Sequence, residues 1–157
     1  MKKDEKKKII IKNNKIREYK IFKKFEAGLV LNGSEVKSLR NYNVSIDNAF
    51  FLIQKNEIFI IKMYISDYIK SSFSSSTNKE KNWRWKKILL HKDEIIKIIQ
   101  QIKSKNLLLT PLCLFFNNKG LVKLEIALAK HLKKYEIKKM KKIEDEKNEE
   151  KNNYLYY

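Results

Sequence analysis

The run G-L-V-K-L-E-I-A-L-A, residues 120–129, alternates so regularly that it reads as a strand with one buried face. Val122, Leu124, Ile126 and Leu128 share one side, and Lys123 and Glu125 share the other. Ahead of it, across N-N-K-G, lies a second apolar run, L-L-L-T-P-L-C-L-F-F. Two such runs around a short turn predict an antiparallel hairpin. Pro111 must then sit where the ladder does not need its missing N–H.

A second hairpin is predicted where I-D-N-A-F-F-L-I-Q and I-F-I-I-K-M-Y-I flank K-N-E, with Phe50, Phe51 and Phe59 in the core. I-R-E-Y-K-I-F-K-K-F-E-A-G-L-V-L reads as one bent strand or two, with Gly28 as the bend. S-E-V-K-S-L-R is a short helix candidate with Ser34 as N-cap. In it Val36 and Leu39 face inward, and Lys37 and Arg40 share another face. W-R-W-K-K-I-L-L is a further strand. H-K-D-E-I-I-K-I-I-Q-Q-I-K-S-K-N is the clearest helix, with Ile95, Ile98 or Ile99, and Ile102 as its stripe. His91 is expected as a surface or capping residue at its start, with Asn106 at its end. The pattern predicts a mainly β fold of about six antiparallel strands with two or three flanking helices. Its expected form is a small closed barrel of the oligonucleotide-binding kind.

Three divisions are expected: a disordered basic extension over residues 1–13, a barrel domain over 14–130 and a charged tail over 131–157. The tail's apolar stripe is thin, Ile137, Met140 and Ile143 or Glu144. Alone in water such a helix is marginal, so it is expected to order on a partner. The serine-rich stretch 71–77 reads as a loop.

With 43% apolar residues the chain can bury a core. No apolar run is long enough to span a membrane. Ile9 to Ile11 is too short for a signal-peptide core, so a cytoplasmic monomer is expected. Cys113 stands alone in an apolar run and reads as a core residue. A formal net charge of +18 favours a polyanionic partner. The chain is rich in Lys, Ile and Asn together, a compositional bias that inflates lysine by itself, so the few Arg and Gly residues carry more information.

No metal-ligand spacing, phosphate loop or catalytic constellation is present in the sequence, so neither cofactor, metal nor enzyme activity is expected. What is present suits RNA. Basic and planar residues interleave at Arg17-Tyr19, Arg40-Tyr42, Trp83-Arg84-Trp85 and Lys134-Tyr135. Rings stack on unpaired bases and cations hold phosphates. Glu35 has two open readings: an ion-pair or helix-dipole role with Lys37 or another cation, or a carboxylate accepting from base N–H groups.

The segment E-A-G-L-V-L-N-G-S-E-V-K-S-L-R, residues 26–40, resembles the signature of the SsrA-binding protein family, also called small protein B. Further segments resemble it in the same order: Y-I-S-D-Y at 64–68, with Asp67 replacing a proline, K-K-I-L-L-H-K-D-E-I at 86–95, and 109–130 nearly position by position. The resemblance runs from about Asn14 to Lys130. It implies a non-enzymatic adaptor that binds the tRNA-like domain of transfer-messenger RNA. The adaptor delivers that RNA to the A site of a stalled ribosome, for trans-translation and tagging of the nascent chain. It further implies RNA contacts at Glu35, Lys123 and the apolar residue near Leu90, with Lys37 and Arg40 in the same motif. Gly28 and Gly33 would shape the chain so that this surface forms.

The tail departs from the family pattern of G-K-K, a planar residue, then D-K-R. Here the stretch reads His131-Leu132-Lys133, Lys134, Tyr135, Glu136-Ile137-Lys138, followed by the acidic I-E-D-E-K-N-E-E-K. The resemblance implies that Tyr135, Glu136 and Lys138 face the ribosome, at the small-subunit rRNA and mRNA channel. An acidic segment gains little from an RNA-lined channel. The alternative reading is a general single-stranded-RNA or ribosome-associated barrel protein without a rescue role.

Overall fold

The computed structural model describes residues 7–66 and 83–154, with side chains in the last helix through 152. Asp67 and Tyr68 of the Y-I-S-D-Y segment, the serine-rich stretch 71–77 and residues 1–6 of the expected extension lie outside the described residues.

Among the described residues, nine strands and three α-helices follow one another: β1 (Lys8–Lys12), β2 (Tyr19–Leu29), α1 (Gly33–Arg40), β3 (Val44–Ser45), β4 (Phe50–Gln54), β5 (Glu57–Ile61), β6 (Tyr64–Ile65), β7 (Lys86–Leu89), α2 (Lys92–Lys105), β8 (Leu108–Phe116), β9 (Val122–His131) and α3 (Lys134–Tyr154). A 3-10 turn, Ile16–Glu18, leads into β2. Seven strands form one antiparallel sheet in the order β1-β8-β9-β2-β7-β5-β4, and β3 pairs with β6.

Both predicted hairpins are present. The β4–β5 turn is Lys55-Asn56, and both residues have positive φ, as a two-residue hairpin of matching twist requires. The β8–β9 turn ends on Gly120 at φ +73°, where a side chain would be strained. Pro111 sits in β8 beside a register shift that falls between it and Cys113, so the ladder does not need its N–H. Asn106 caps α2 in the left-handed conformation, and His91 is its N-cap.

The expected closed barrel is not what forms. The backbone ladder is open, with β1 and β4 at its two ends. β4 comes against β8, but the free edge of β8 is already hydrogen-bonded to β1. The expected disorder through residue 13 therefore fails at Lys8–Lys12. Ile10 is buried at 7% exposure there, so tertiary pairing overrides a sequence with no visible period.

Three local expectations also change. Asn32, not Ser34, caps α1, because the helix starts at Gly33. A Cβ on Gly33 would meet nothing within 4 Å, so this glycine is not required by crowding. The register shift in β2 lies between Ile21 and Lys23 rather than at Gly28. Gly28 instead allows close approach, since a Cβ there would lie 3.3 Å from the Leu89 Cβ on β7.

One core joins the elements. Leu39 of α1, Ile58 and Ile60 of β5, Ile98 of α2, Leu114 of β8, and Leu124 and Ile126 of β9 are each fully buried. Cys113 is only half-buried, with its thiol 3.9 Å from Glu125 Oε2. Phe51 and Phe59 are half-buried, but Phe50 is exposed, with the Lys62 ammonium 5.5 Å from its ring centre.

The tail is helical without a partner chain. Lys133 N–H donates to Glu136 Oε2 (3.0 Å), capping the start of α3. Ile137, Met140 and Ile143 then turn towards Arg17 and Tyr19 across a cleft of about 370 Å³, and Glu144 lies 3.9 Å from Arg17. No described helix is long and apolar enough to cross a membrane.

Truncating Ile126 tests the shared core. Ile126→Ala should cost about 2–5 kcal/mol in urea unfolding, because the cavity opens among strands that cannot collapse onto it. A loss below about 1 kcal/mol would show that the core is looser than described.

Candidate nucleic-acid interface

Glu35 is placed by helix geometry. It is the third residue of α1, and its Oε1 accepts the Asn32 backbone N–H at 3.0 Å. The same oxygen accepts from Arg84 Nη2 at 2.6 Å. Oε2 is buried without a hydrogen-bond partner, 3.7 Å from Lys86 Nζ. The geometry is that of the ion-pair reading, with Arg84 and Lys86 as the cations. The carboxylate is 8% exposed and points into the seam between α1 and β7.

Strand alternation explains the partners. Around β7, Lys86 and Ile88 are buried, whereas Trp85 and Leu89 are exposed and Lys87 is half-buried. Lys86 is fully buried, and its ammonium donates to Arg84 O (2.7 Å) and Met63 O (3.4 Å). Burial pushes its pKa down, the Glu35 carboxylate pulls it back up, and the Arg84 guanidinium adds to the lowering. Arg84 also donates to Val30 O and Trp85 O, so it ties three segments together. At the far side of α1, the Ser38 hydroxyl donates to Ser66 O at 2.6 Å.

With its inner side fixed, α1 turns Lys37 and Arg40 outward, and both are exposed. Beside it runs a groove of about 280 Å³ floored by Gly28 and lined by Val36, Leu89, Leu121 and Lys123. Gly28 is the cross-strand partner of both Leu89 and Lys123, which fixes these two on either side of it. Leu90 is half-buried against the core, whereas Leu89 is 49% exposed in the groove. Leu89 and Leu121 were not singled out from sequence. The signal for Leu89 was the alternation of β7: Ile88 faces the core, so its neighbour faces out.

The structure thus brings Val36, Leu89 and Lys123 together, with Lys37 and Arg40 on the exposed face of the same helix. The tail residues lie elsewhere. Tyr135 is 64% exposed and Lys138 is exposed, while Glu136 is engaged by the helix cap. Among the described residues no group of His, Cys, Asp and Glu could hold a metal ion.

The lowered Lys86 pKa gives a pH test. Its contribution to stability is greatest above the ordinary value of 10.5 and falls as pH drops through the lowered folded value. Tyr19 and Cys113 are raised, chiefly by burial, and act in the opposite sense at alkaline pH. Comparison with Lys86→Met cancels both. In urea unfolding, the stability of the wild type relative to Lys86→Met should rise as pH approaches 10.5. A difference that does not change with pH would contradict the buried, charged lysine.

Comparison with known proteins bears on this surface. Residues 10–155 match the family model described as SmpB protein. An SsrA-binding protein of Mycoplasma mycoides is 44% identical over 147 residues, covering 93% of this chain and 97% of the relative. One from Pseudothermotoga lettingae is 42% identical over 128 residues, covering 82% and 84%. A solved chain described as "tmRNA-SmpB: a journey to the center of the bacterial ribosome" aligns with a TM-score of 0.62 and 33% identity, over 79% of this chain and 85% of that one. A match over nearly the whole chain, joined to an outward basic helix and a lysine-rimmed groove, leads to one conclusion: this chain belongs to the SmpB family of SsrA-binding proteins.

Proposed function

We propose that this chain is the adaptor that binds the tRNA-like domain of transfer-messenger RNA and delivers it to stalled ribosomes for trans-translation. The observation that carries the reading is the match over residues 10–155, which includes both the groove and the tail helix. The work is binding rather than bond chemistry, and its place is the cytoplasm, where ribosomes are. A general RNA-binding barrel without a rescue role is not favoured, because the relatives are named as SsrA-binding proteins over most of their own length. The curl that brings β4 against β8 supports a barrel-like outline, although the ladder is open.

The RNA face comprises Lys123, Lys37 and Arg40 as cations for phosphate. The apolar contact expected near Leu90 falls on exposed Leu89, while Leu90 backs it from the core. Glu35 acts through α1: its inward ion pairs hold the helix so that Lys37 and Arg40 face the RNA. At the other end, Tyr135 offers an exposed ring for stacking and Lys138 an exposed cation for ribosomal RNA, with Glu136 fixing the first turn of α3. The acidic end of α3 remains the part of the chain least suited to an RNA-lined channel.

Binding to the isolated tRNA-like domain, against unstructured RNA of equal length at about 150 mM salt, tests the reading near physiological ionic strength. A clear preference for the folded domain is expected. Lys123→Ala should weaken binding and lower the salt dependence by about one phosphate contact. Equal affinity for both RNAs, with no effect of Lys123→Ala, would reject both the adaptor and the site.

A further inference from the structure

On the outer face of β4, β5 and β7, beyond the groove, lies a patch of rings that the tmRNA reading does not use. Trp83 and Trp85 flank Arg84, and they are 47% and 49% exposed. Both are braced. Trp83 meets the Tyr64 ring at 5.1 Å between centroids, tilted by 52°. Trp85 meets Phe59 at 6.3 Å, tilted by 50°. Phe50, also exposed, extends the patch across β4 under the Lys62 ammonium. Lys87 is the cross-strand partner of Phe59, and its ammonium is paired with Glu57 Oε1 at 3.1 Å, which leaves Lys62 as the cation at the rings.

Several large rings left half in water at and beside this sheet face are not explained by the core, which closes beneath it through Ile58, Ile60 and Ile88. The alternation that sends Arg84 towards Glu35 and buries Lys86 also leaves Trp83 and Trp85 facing water, so the pattern separates a structural cation pair from an exposed aromatic pair. Rings braced by neighbouring rings lose little entropy when a base stacks on them. A cation beside the rings suits a polyanion better than an apolar peptide. The patch is also continuous with the groove, since Trp85 immediately precedes β7 and Lys87 and Leu89 follow along one side of it.

We propose that Trp83, Trp85 and Phe50 form a stacking platform for unpaired RNA bases, a second contact surface separate from the groove that takes the folded tRNA-like domain. Lys62 holds the phosphates of that strand. The platform needs no folded RNA, so it stands whether or not the tmRNA reading does.

The chain has only two tryptophans, and both are on the platform, so their fluorescence reports on it directly. The full chain is titrated with a short unstructured oligoribonucleotide and, separately, with inorganic polyphosphate as an anion without bases. RNA should quench the emission, and polyphosphate should bind without comparable quenching. Trp85→Leu should weaken oligonucleotide binding about fivefold or more. It should leave polyphosphate binding unchanged, with a circular-dichroism spectrum matching the wild type. Trp83→Leu retains Trp85 as sole reporter and should still quench. The proposal is overturned if RNA leaves the emission unchanged. It is overturned equally if Trp85→Leu binds the oligonucleotide as the wild type does, or loses RNA and polyphosphate binding in parallel.

Discussion

Between α1 and β7 a carboxylate is taken almost entirely out of water and held by two cations. Isolated, a buried carboxylate would cost several kcal/mol. Glu35 avoids that cost by accepting from the Asn32 backbone and from Arg84, with the Lys86 ammonium nearby. Lys86 in turn rests on the carbonyls of Arg84 and Met63, so the seam reaches the connection after β5. Such a network contributes little net stability compared with an apolar seam. It gives direction: the helix has one orientation in which Glu35 meets both the Asn32 backbone and the two cations, and in that orientation Lys37 and Arg40 are exposed.

The consequence is a division of labour among cations. Of the chain's many basic residues, Arg84 and Lys86 are held in the buried seam, whereas Lys37 and Arg40 are exposed on α1 and Lys123 lines the groove. Net charge alone could not make that distinction. It also recasts Glu35, whose carboxylate is spent inside the seam rather than presented at the surface.

Much of the sheet was readable because its strands alternate or carry aromatic and β-branched runs. The β8–β9 hairpin, the β4–β5 hairpin and α2 with its Asn106 cap all follow from local chemistry. What was not readable depends on partners distant in sequence. β1 carries three isoleucines in a charged segment, and only the free edge of β8 makes them a strand. Once β1 is paired, the ladder cannot close, so the barrel expectation failed for the same reason. Gly28 looked like a bend, but its reason is Leu89 on another strand. Arg84 as the partner of Glu35 lies forty-nine positions away, beyond any local rule. The helicity of the tail was underestimated because its local cap, Lys133 to Glu136, was overlooked and its approach to Arg17 and Tyr19 is tertiary. Motif order across the chain carried the family reading where local physics left Glu35 ambiguous.

The most direct test of this account is a double-mutant cycle on Glu35 and Arg84, read in both urea stability and affinity for the tRNA-like RNA domain. If the pair holds α1 in place, the two single alanine variants should each lose stability and affinity. The double variant should then lose clearly less than the sum of the two, with a coupling of about 0.5–3 kcal/mol. Additive losses in both readouts would contradict the account. They would mean that Glu35 contacts RNA independently of Arg84, and that α1 owes its orientation to something else.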